Sequence, residues 1–396
     1  SVALAAADAA ALEAARLSPL VEEVLAVGPG RPGPAGEFEA VFNLNSAVAA
    51  ARLAGRVRAG ARFGPALAEG DTLRFTPAQD FLMGLMAEDR RLGRFNLADV
   101  WLALAPEAGP RPLFWPPPDL ARRGPGLRIG FHLGARNHLR RWPAENFVRL
   151  ALALGRLIGE FTPVLTGSSE ERALGAKFEK LGPPALNLMG ATDLPELSRT
   201  LAGLDVLVAA DTGVLHLAAA LGTPVLALFF GPAYGPETGP YGPGHLIYQA
   251  EAPCGPCREG ACRRRQCLAL PEPESAARLA AALLAKRDPE IQAPPGHRVW
   301  LTGLDAFGQE LRPLGRPPLT PEEALALALA WAGQEIFRPG LLARPAGLAA
   351  LASHYSPPVG RPALDEGRLR RLLGRLNPAA GERLRQGLTI LGLEFA

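Results

Sequence analysis

Lysine is almost absent from this chain: three residues, Lys177, Lys180 and Lys286, among 396. Nearly all fixed positive charge is therefore arginine. That usage reads as genomic bias, so an Arg where a Lys would serve carries no special meaning. Cysteine is confined to one cluster, Cys254, Cys257, Cys262 and Cys267. No apolar run approaches the roughly 20 residues of a membrane-spanning helix, and no secretory leader pattern is visible at Ser1. A cytoplasmic protein is the expectation. Excess charge of one sign is also missing: the net charge of +3 is too small to argue for nucleic acid. Hydrophobic residues make up 48% and charged residues 20%, which excludes a disordered chain. The length exceeds a single small core, so two or three domains are expected.

What is present falls into three stretches. Residues 2–7, 20–27 and 38–44 read as short strands, with an Ala-rich helix over 9–17, and predict an α/β domain over 1–110. Gly28-Pro-Gly-Arg-Pro-Gly33 matches G-x-G-x-x-G by letter, but two prolines interrupt it and no helix follows, so it reads as a loop. Residues 106–126 are rich in Pro and Gly, and 111–126 reads as a stiff linker. Strands over 127–133, 162–165, 185–188, 205–210 and 225–230 then alternate with helices over 143–158, 169–181, 193–204 and 213–221. Strand, helix and strand in regular succession predict a doubly wound parallel domain over 127–290. Beyond Lys286 the periodicity weakens. The capping box Thr320-Pro-Glu-Glu323 opens a helix to about Phe337, and Arg-rich helical segments lie near 366–376 and 380–394. Residues 291–396 read as a helical extension.

Four strand ends of the doubly wound region carry small or polar residues: Gly134-Ala135, Thr166-Gly167-Ser168-Ser169, Gly190-Ala191-Thr192 and Asp211-Thr212-Gly213. Together they predict a groove where a ligand approaches the backbone closely. The helix opening at Thr212 presents free N–H groups that suit a phosphate or diphosphate. His216 follows one turn later on the same side. Taken singly, Asp211 reads as a helix N-cap and His216 as a core histidine; taken together, the tetrad favours a ligand. Arg140 and Arg141 precede the helix started by Pro143 and either neutralise a phosphate or are solvated surface charge. Glu170 and Glu171 either accept hydrogen bonds from ribose hydroxyls or complement the positive end of their helix.

The stretches "HLGARNHLRRWPAENFVRLALAL", "VLTGSSEER", "GATDLPELSRTLAGLDVLVAADTGVLHLAAALGTPVLALFFGP" and "TGPYGPGH" resemble glycosyltransferase family 9, the bacterial heptosyltransferases. The resemblance is close over about 127–270 and loose over 1–126, and Asp-Thr-Gly-x-x-His with its downstream Phe-Gly-Pro is its most specific part. It implies the GT-B fold, two Rossmann-like domains facing across a cleft. The implied activity is transfer of a sugar, typically heptose, from a nucleotide-diphosphate donor with inversion and without a metal. By resemblance Asp211, Thr212, Gly213 and His216 meet the donor's diphosphate and sugar, with Arg140 in the place of a phosphate-binding Lys. Arg140, Glu170, Glu171, Thr192, Asp211, Thr212, Gly213 and His216 form the expected donor site. The expected partners are an ADP-sugar donor and a glycan or lipid-linked glycan acceptor of lipopolysaccharide type, with peripheral contact at the inner membrane surface and no nucleic acid. The family opens with a strand and a loop bearing an Asp general base. This chain starts at what looks like the second strand, and no residue matches that Asp. Either its N-terminus lies upstream of Ser1, or the protein is a non-catalytic nucleotide-sugar or glycan binder of the same fold.

The cysteine spacing C-x2-C-x4-C-x4-C equals that of a zinc knuckle with Cys for His, beside the basic run Arg263 to Arg265. It opens an RNA-binding reading, which would show strongly salt-dependent binding. Clusters of this kind also occur in the resembling family, so a structural loop is the better account. Whether Cys254, Cys257, Cys262 and Cys267 hold a structural zinc or remain reduced thiols stays open at this point.

Overall fold

The structure is a computed structural model that describes residues 2–6, 9–18, 20–28, 34–104, 126–257, 262, 265–286, 293–305, 308–315, 317, 320–337, 376 and 378–390. The linker expected over 111–126 falls almost wholly outside these residues, as do most of the Gly28–Gly33 loop and the helix expected over 366–376.

The chain begins with two βαβ units. In the first, β1 (Ala3–Ala6) and β2 (Glu23–Ala26) pair in parallel around α1 (Ala9–Leu17). In the second, β3 (Glu37–Phe42) and β4 (Arg58–Phe63) pair in parallel around α2 (Val48–Arg56). A short antiparallel pair follows, β5 (Ala66–Leu67) with β6 (Leu73–Arg74). Among the described residues these remain separate two-stranded sheets, where the sequence predicted one α/β domain. Two helices close the region, α3 (Pro77–Glu88) and α4 (Leu97–Leu102). The first has a full capping box between Thr76 and Gln79, and the second is capped by Asn96.

From residue 128 the chain winds a large sheet. It contains β7 (Arg128–His132), β8 (Thr162–Thr166), β9 (Leu186–Asn187), β10 (Val206–Ala210), β11 (Val225–Phe229) and β12 (Leu246–Ala250). Between these strands run α5 (Ala144–Ile158), α6 (Arg172–Leu181), α7 (Leu194–Ala202), α8 (Gly213–Ala220) and the single turn α9 (Gly235–Thr238); α10 (Pro273–Leu284) follows β12. All six strands are parallel, in the order β12-β11-β10-β7-β8-β9. That is the doubly wound order, and it reverses between β7 and β10. Every residue of β10, β11 and β12 is buried, because alternate side chains enter two different cores. Val206, Val208, Leu226 and Leu228 pack with Phe147, Leu150 and Leu154 of α5 and Leu279 of α10. Leu207, Ala209, Val225 and Ala227 pack with Leu201 of α7 and Leu215 and Ala218 of α8. Helices on both faces are why these strands read as unbroken apolar runs.

The expectation of a helical extension over 291–396 is corrected at its start. Residues 297–313 form β13 (His297–Leu304) and β14 (Gln309–Pro313), an antiparallel hairpin added to the β12 edge. Only His297, Val299, Trp300 and Thr302 of β13 are buried, a weaker signal in sequence than an all-apolar run. The expected helix from Thr320 is present as α11 (Pro321–Phe337), and a second helix, α12 (Pro378–Ile390), lies in the last expected segment. Neither is an appendage. Ala324–Leu329, Trp331, Ala332, Leu384 and Leu388 share a core with Phe81, Leu82, Leu85, Leu92, Phe95 and Val100.

Candidate functional site

Open α/β sheets bind ligands beyond the carboxyl ends of the strands where the order reverses, here the crevice between the ends of β7 and β10. After β7 the chain makes a 3-10 turn, His138–Arg140, capped by Asn137, whose side-chain oxygen accepts from the Leu139 N–H at 2.9 Å. Trp142 is buried edge-on against Phe147, ring centres 5.0 Å apart, which fixes the chain on the far side of the two arginines. Arg140 then reaches across the reversal, its Nη1 2.9 Å from Asp211 Oδ2 at the end of β10. Arg141 turns the other way, donating to the Ala135 carbonyl at 2.7 Å and to Glu171 Oε1 at 3.1 Å.

Asp211 is buried, and burial raises its pKa against the opposing pull of Arg140, His216 and the Thr238 hydroxyl. His216, half-buried one turn along α8, is pushed down by burial against the pull of Asp211. Between them, α8 begins without a side-chain cap. The Thr212 hydroxyl is buried with no hydrogen-bond partner among the described residues. Gly213 is exposed, and a Cβ there would meet nothing within 4 Å. A guanidinium, an uncapped helix N-terminus and an orphaned hydroxyl thus converge on one open crevice, the donor set a diphosphate requires.

The other expected residues divide. Glu171 is committed: it closes a capping box with Ser168, accepts from the Ser168 N–H at 3.0 Å and pairs with Arg141. Burial raises its pKa, but the Ser168 hydrogen bonds and the Arg141 charge more than offset that and leave it below the ordinary value. It also fills the space beside Gly134, where a Cβ would lie 1.9 Å from Glu171 Oε2. Glu170, the next residue back, is exposed on the same 3-10 turn. Thr192 follows β9, three strand positions from β10, roughly 14 Å away at ordinary strand spacing.

The cysteine loop lies beside the same turn. The Cys257 N–H donates to the Gly231 carbonyl at 3.1 Å, and Cys267 is buried next to Gly231. Burial and the neighbouring thiols raise the pKa of both Cys257 and Cys267. Among the described residues, which include all four cysteines, no group of three or more His, Cys, Asp or Glu is arranged to hold a metal ion. None of the four cysteines is in a disulfide.

Sequence reading missed the far wall of the crevice. The loop from β11 to β12 is almost entirely buried and carries Glu237, 2% exposed, with Thr238 facing Asp211. Glu237 is paired with Arg90, from the 3-10 turn Arg90–Leu92 far upstream. One signal was available: Glu237 is the only charged residue in a run of Gly, Pro, Tyr, Ala and Thr, between two apolar strands.

The family profile of glycosyltransferase family 9 (heptosyltransferase) matches residues 124–268. Lipopolysaccharide heptosyltransferase 1 of Pseudomonas aeruginosa is 42% identical over 101 residues, covering 24% of this chain and 26% of that protein. Lipooligosaccharide heptosyltransferase 2 of Haemophilus influenzae is 32% identical over 121 residues, covering 29% of this chain and 33% of its own. The matches thus span about a quarter to a third of these relatives. In fold, the chain is similar to the crystal structure of the glycosyl transferase family 9 from Veillonella parvula, with TM-score 0.50 and 18% identity, covering 68% of this chain and 84% of that one. The matched segment runs from residue 124 through β7 and the Asp211 turn to the cysteine loop, so it is residues 124–268 that are similar to glycosyltransferase family 9.

Proposed function

We propose that this protein is a glycosyltransferase that moves a sugar, heptose, from an ADP-linked donor to a lipopolysaccharide-type glycan acceptor, with inversion and without a metal. The observation that carries this reading is the Arg140–Asp211 pair at the strand-order reversal, beside the uncapped start of α8. Arg140 and the first N–H groups of α8 bind the diphosphate; Asp211 and His216 face the sugar side. In the GT-B arrangement we infer, the acceptor approaches from the N-terminal units, and a glycan attached to lipid would bring the protein to the inner membrane surface. Among the described residues, no helix is long and apolar enough to cross a membrane.

The general base that an inverting transfer requires is assigned to no residue here; Asp8, the carboxylate after β1, lies outside the described residues. Calorimetric titration with ADP, an ADP-sugar, UDP and inorganic diphosphate, alongside a transfer assay with and without chelator, tests the reading. We expect ADP to bind more tightly than UDP. Charge-assisted hydrogen bonds contribute roughly 1.5–3 kcal/mol each, so Arg140→Ala should lose about tenfold or more in ADP affinity. Unchanged affinity in that variant would remove Arg140 from the site. Binding without transfer would instead favour the nucleotide-sugar binder.

A further inference from the structure

We propose that Arg90 is a positioning residue of the nucleotide crevice, acting on Asp211 through Glu237 and Thr238. The proposal rests on the nucleotide-site reading above. Arg90 belongs to the N-terminal half, yet its side chain is spent entirely on the other half. Its Nε donates to Glu237 Oε1 at 3.2 Å and its Nη2 to Glu237 Oε2. Its Nη1 donates to the carbonyls of Pro232 at 2.8 Å and Cys257 at 3.0 Å. One guanidinium thus ties together both ends of the crevice wall and the cysteine loop. Its backbone is fixed in turn, since Asp89 caps the turn and Leu92 is buried in the helical core.

The wall needs such a brace. Residues 231–242 are almost wholly buried and include four glycines, and several of their hydrogen bonds go to the same upstream stretch. Tyr234 Oη donates to the Arg91 carbonyl at 3.2 Å, and Asn96 Nδ2 to the Gly239 carbonyl at 3.0 Å. Tyr241 Oη donates to Asp99 Oδ1 at 2.6 Å. Within this wall Glu237 and Thr238 are adjacent, so the ion pair that holds one carries the other toward Asp211. The groups facing Asp211 are then Arg140 from the 3-10 turn after β7, His216 from α8, Thr238 and Glu237 from α9, and the Arg90 charge behind them.

A diphosphate entering at Arg140 meets the Asp211 carboxylate as a like charge, so binding takes up a proton and strengthens as pH falls. Arg90 favours the ionised Asp211 and Glu237 disfavours it, which gives their removal opposite signs. The experiment is calorimetric ADP titration across pH, in buffers of different ionisation heat, on the wild type, Arg90→Gln, Glu237→Gln and the double variant. Arg90→Gln should weaken ADP binding roughly two- to thirtyfold, the range of indirect coupling, and move the midpoint of proton uptake to higher pH. Glu237→Gln should move the midpoint to lower pH. The double variant, a neutral hydrogen-bonded pair, should return it toward the wild-type value. A wall that is merely structural would change affinity equally at every pH, and midpoints that stay put or move together overturn the proposal. Should Arg90→Gln not fold, Glu237→Gln and the double variant carry the same comparison. Failure of the wild type itself to bind ADP would instead sink the nucleotide-site reading.

Discussion

At the scale of single residues, the histidines separate structural from site roles. His245 is buried at the start of β12, where its Nδ1 accepts from the Val225 N–H at 3.3 Å, so that nitrogen must carry no proton. His132, at the end of β7, is buried with Nδ1 3.0 Å from the Thr166 hydroxyl. Burial pushes both from an ordinary 6.5 to about 4. The unfolded chain therefore binds protons that the folded chain refuses. Their contribution to stability is complete above pH 6.5 and is lost as pH falls toward 4, about 3 kcal/mol each. Denaturant unfolding at a series of pH values should show stability falling across that window. His245→Asn, whose amide oxygen can accept from Val225 at any pH, should flatten the slope. A slope unchanged in that variant would mean His245 does not titrate with unfolding.

At the scale of elements, two glycines one residue type apart in sequence logic do opposite work. Gly231 follows β11 with φ +63°, and a Cβ there would lie 2.7 Å from the Leu139 carbonyl, in the turn that aims Arg140. Gly213 opens α8 into empty space. Gly231→Ala should therefore cost about 1–3 kcal/mol in stability and weaken ADP binding by displacing the Arg140 turn. Gly213→Ala should leave stability equal or raised by up to about 1 kcal/mol, yet still weaken binding, since its methyl group enters the path of the diphosphate. Thermal melts paired with calorimetry separate the two, and full ADP affinity in Gly213→Ala would place the diphosphate elsewhere. The same elements show what the sequence could reveal. β10, β11 and the Asp211 turn were legible because a strand buried on both faces is an unbroken apolar run, and a polar tetrad at its end has nowhere else to go. The hairpin β13–β14 was not, because it carries no unbroken apolar run and its neighbourhood is rich in Pro and Gly. Nor was Arg90, whose partner Glu237 lies 147 residues away and leaves no local pattern.

At the scale of the whole molecule, the division into an N-terminal domain, a sheet domain and an extension does not describe how the described residues pack. The core formed by α3, α4, α11 and α12 joins sequence from both ends of the chain, with Leu85, Leu92, Leu384 and Leu388 among its most buried members. It also meets the large sheet, where Arg298 Nη1 of β13 pairs with Glu323 Oε1 of α11 at 2.6 Å and Gln309 N–H of β14 donates to Asp99 Oδ2 at 3.0 Å. Such distant pairings were invisible in sequence, where nothing local links residues 77–102 to 378–390. A core assembled this way should open as one cooperative unit. Leu384→Ala removes a fully buried side chain and should cost about 2–5 kcal/mol. Hydrogen exchange should then quicken in α3 and in the Arg90 turn as much as in α11 and α12. The amides of β10 and β11 have their own cores on either face and should keep their protection. If α12 exchanged faster while α3 stayed slow, the N-terminal helices would be stable without the C-terminal pair. The brace on the nucleotide crevice would then depend on residues 77–102 alone.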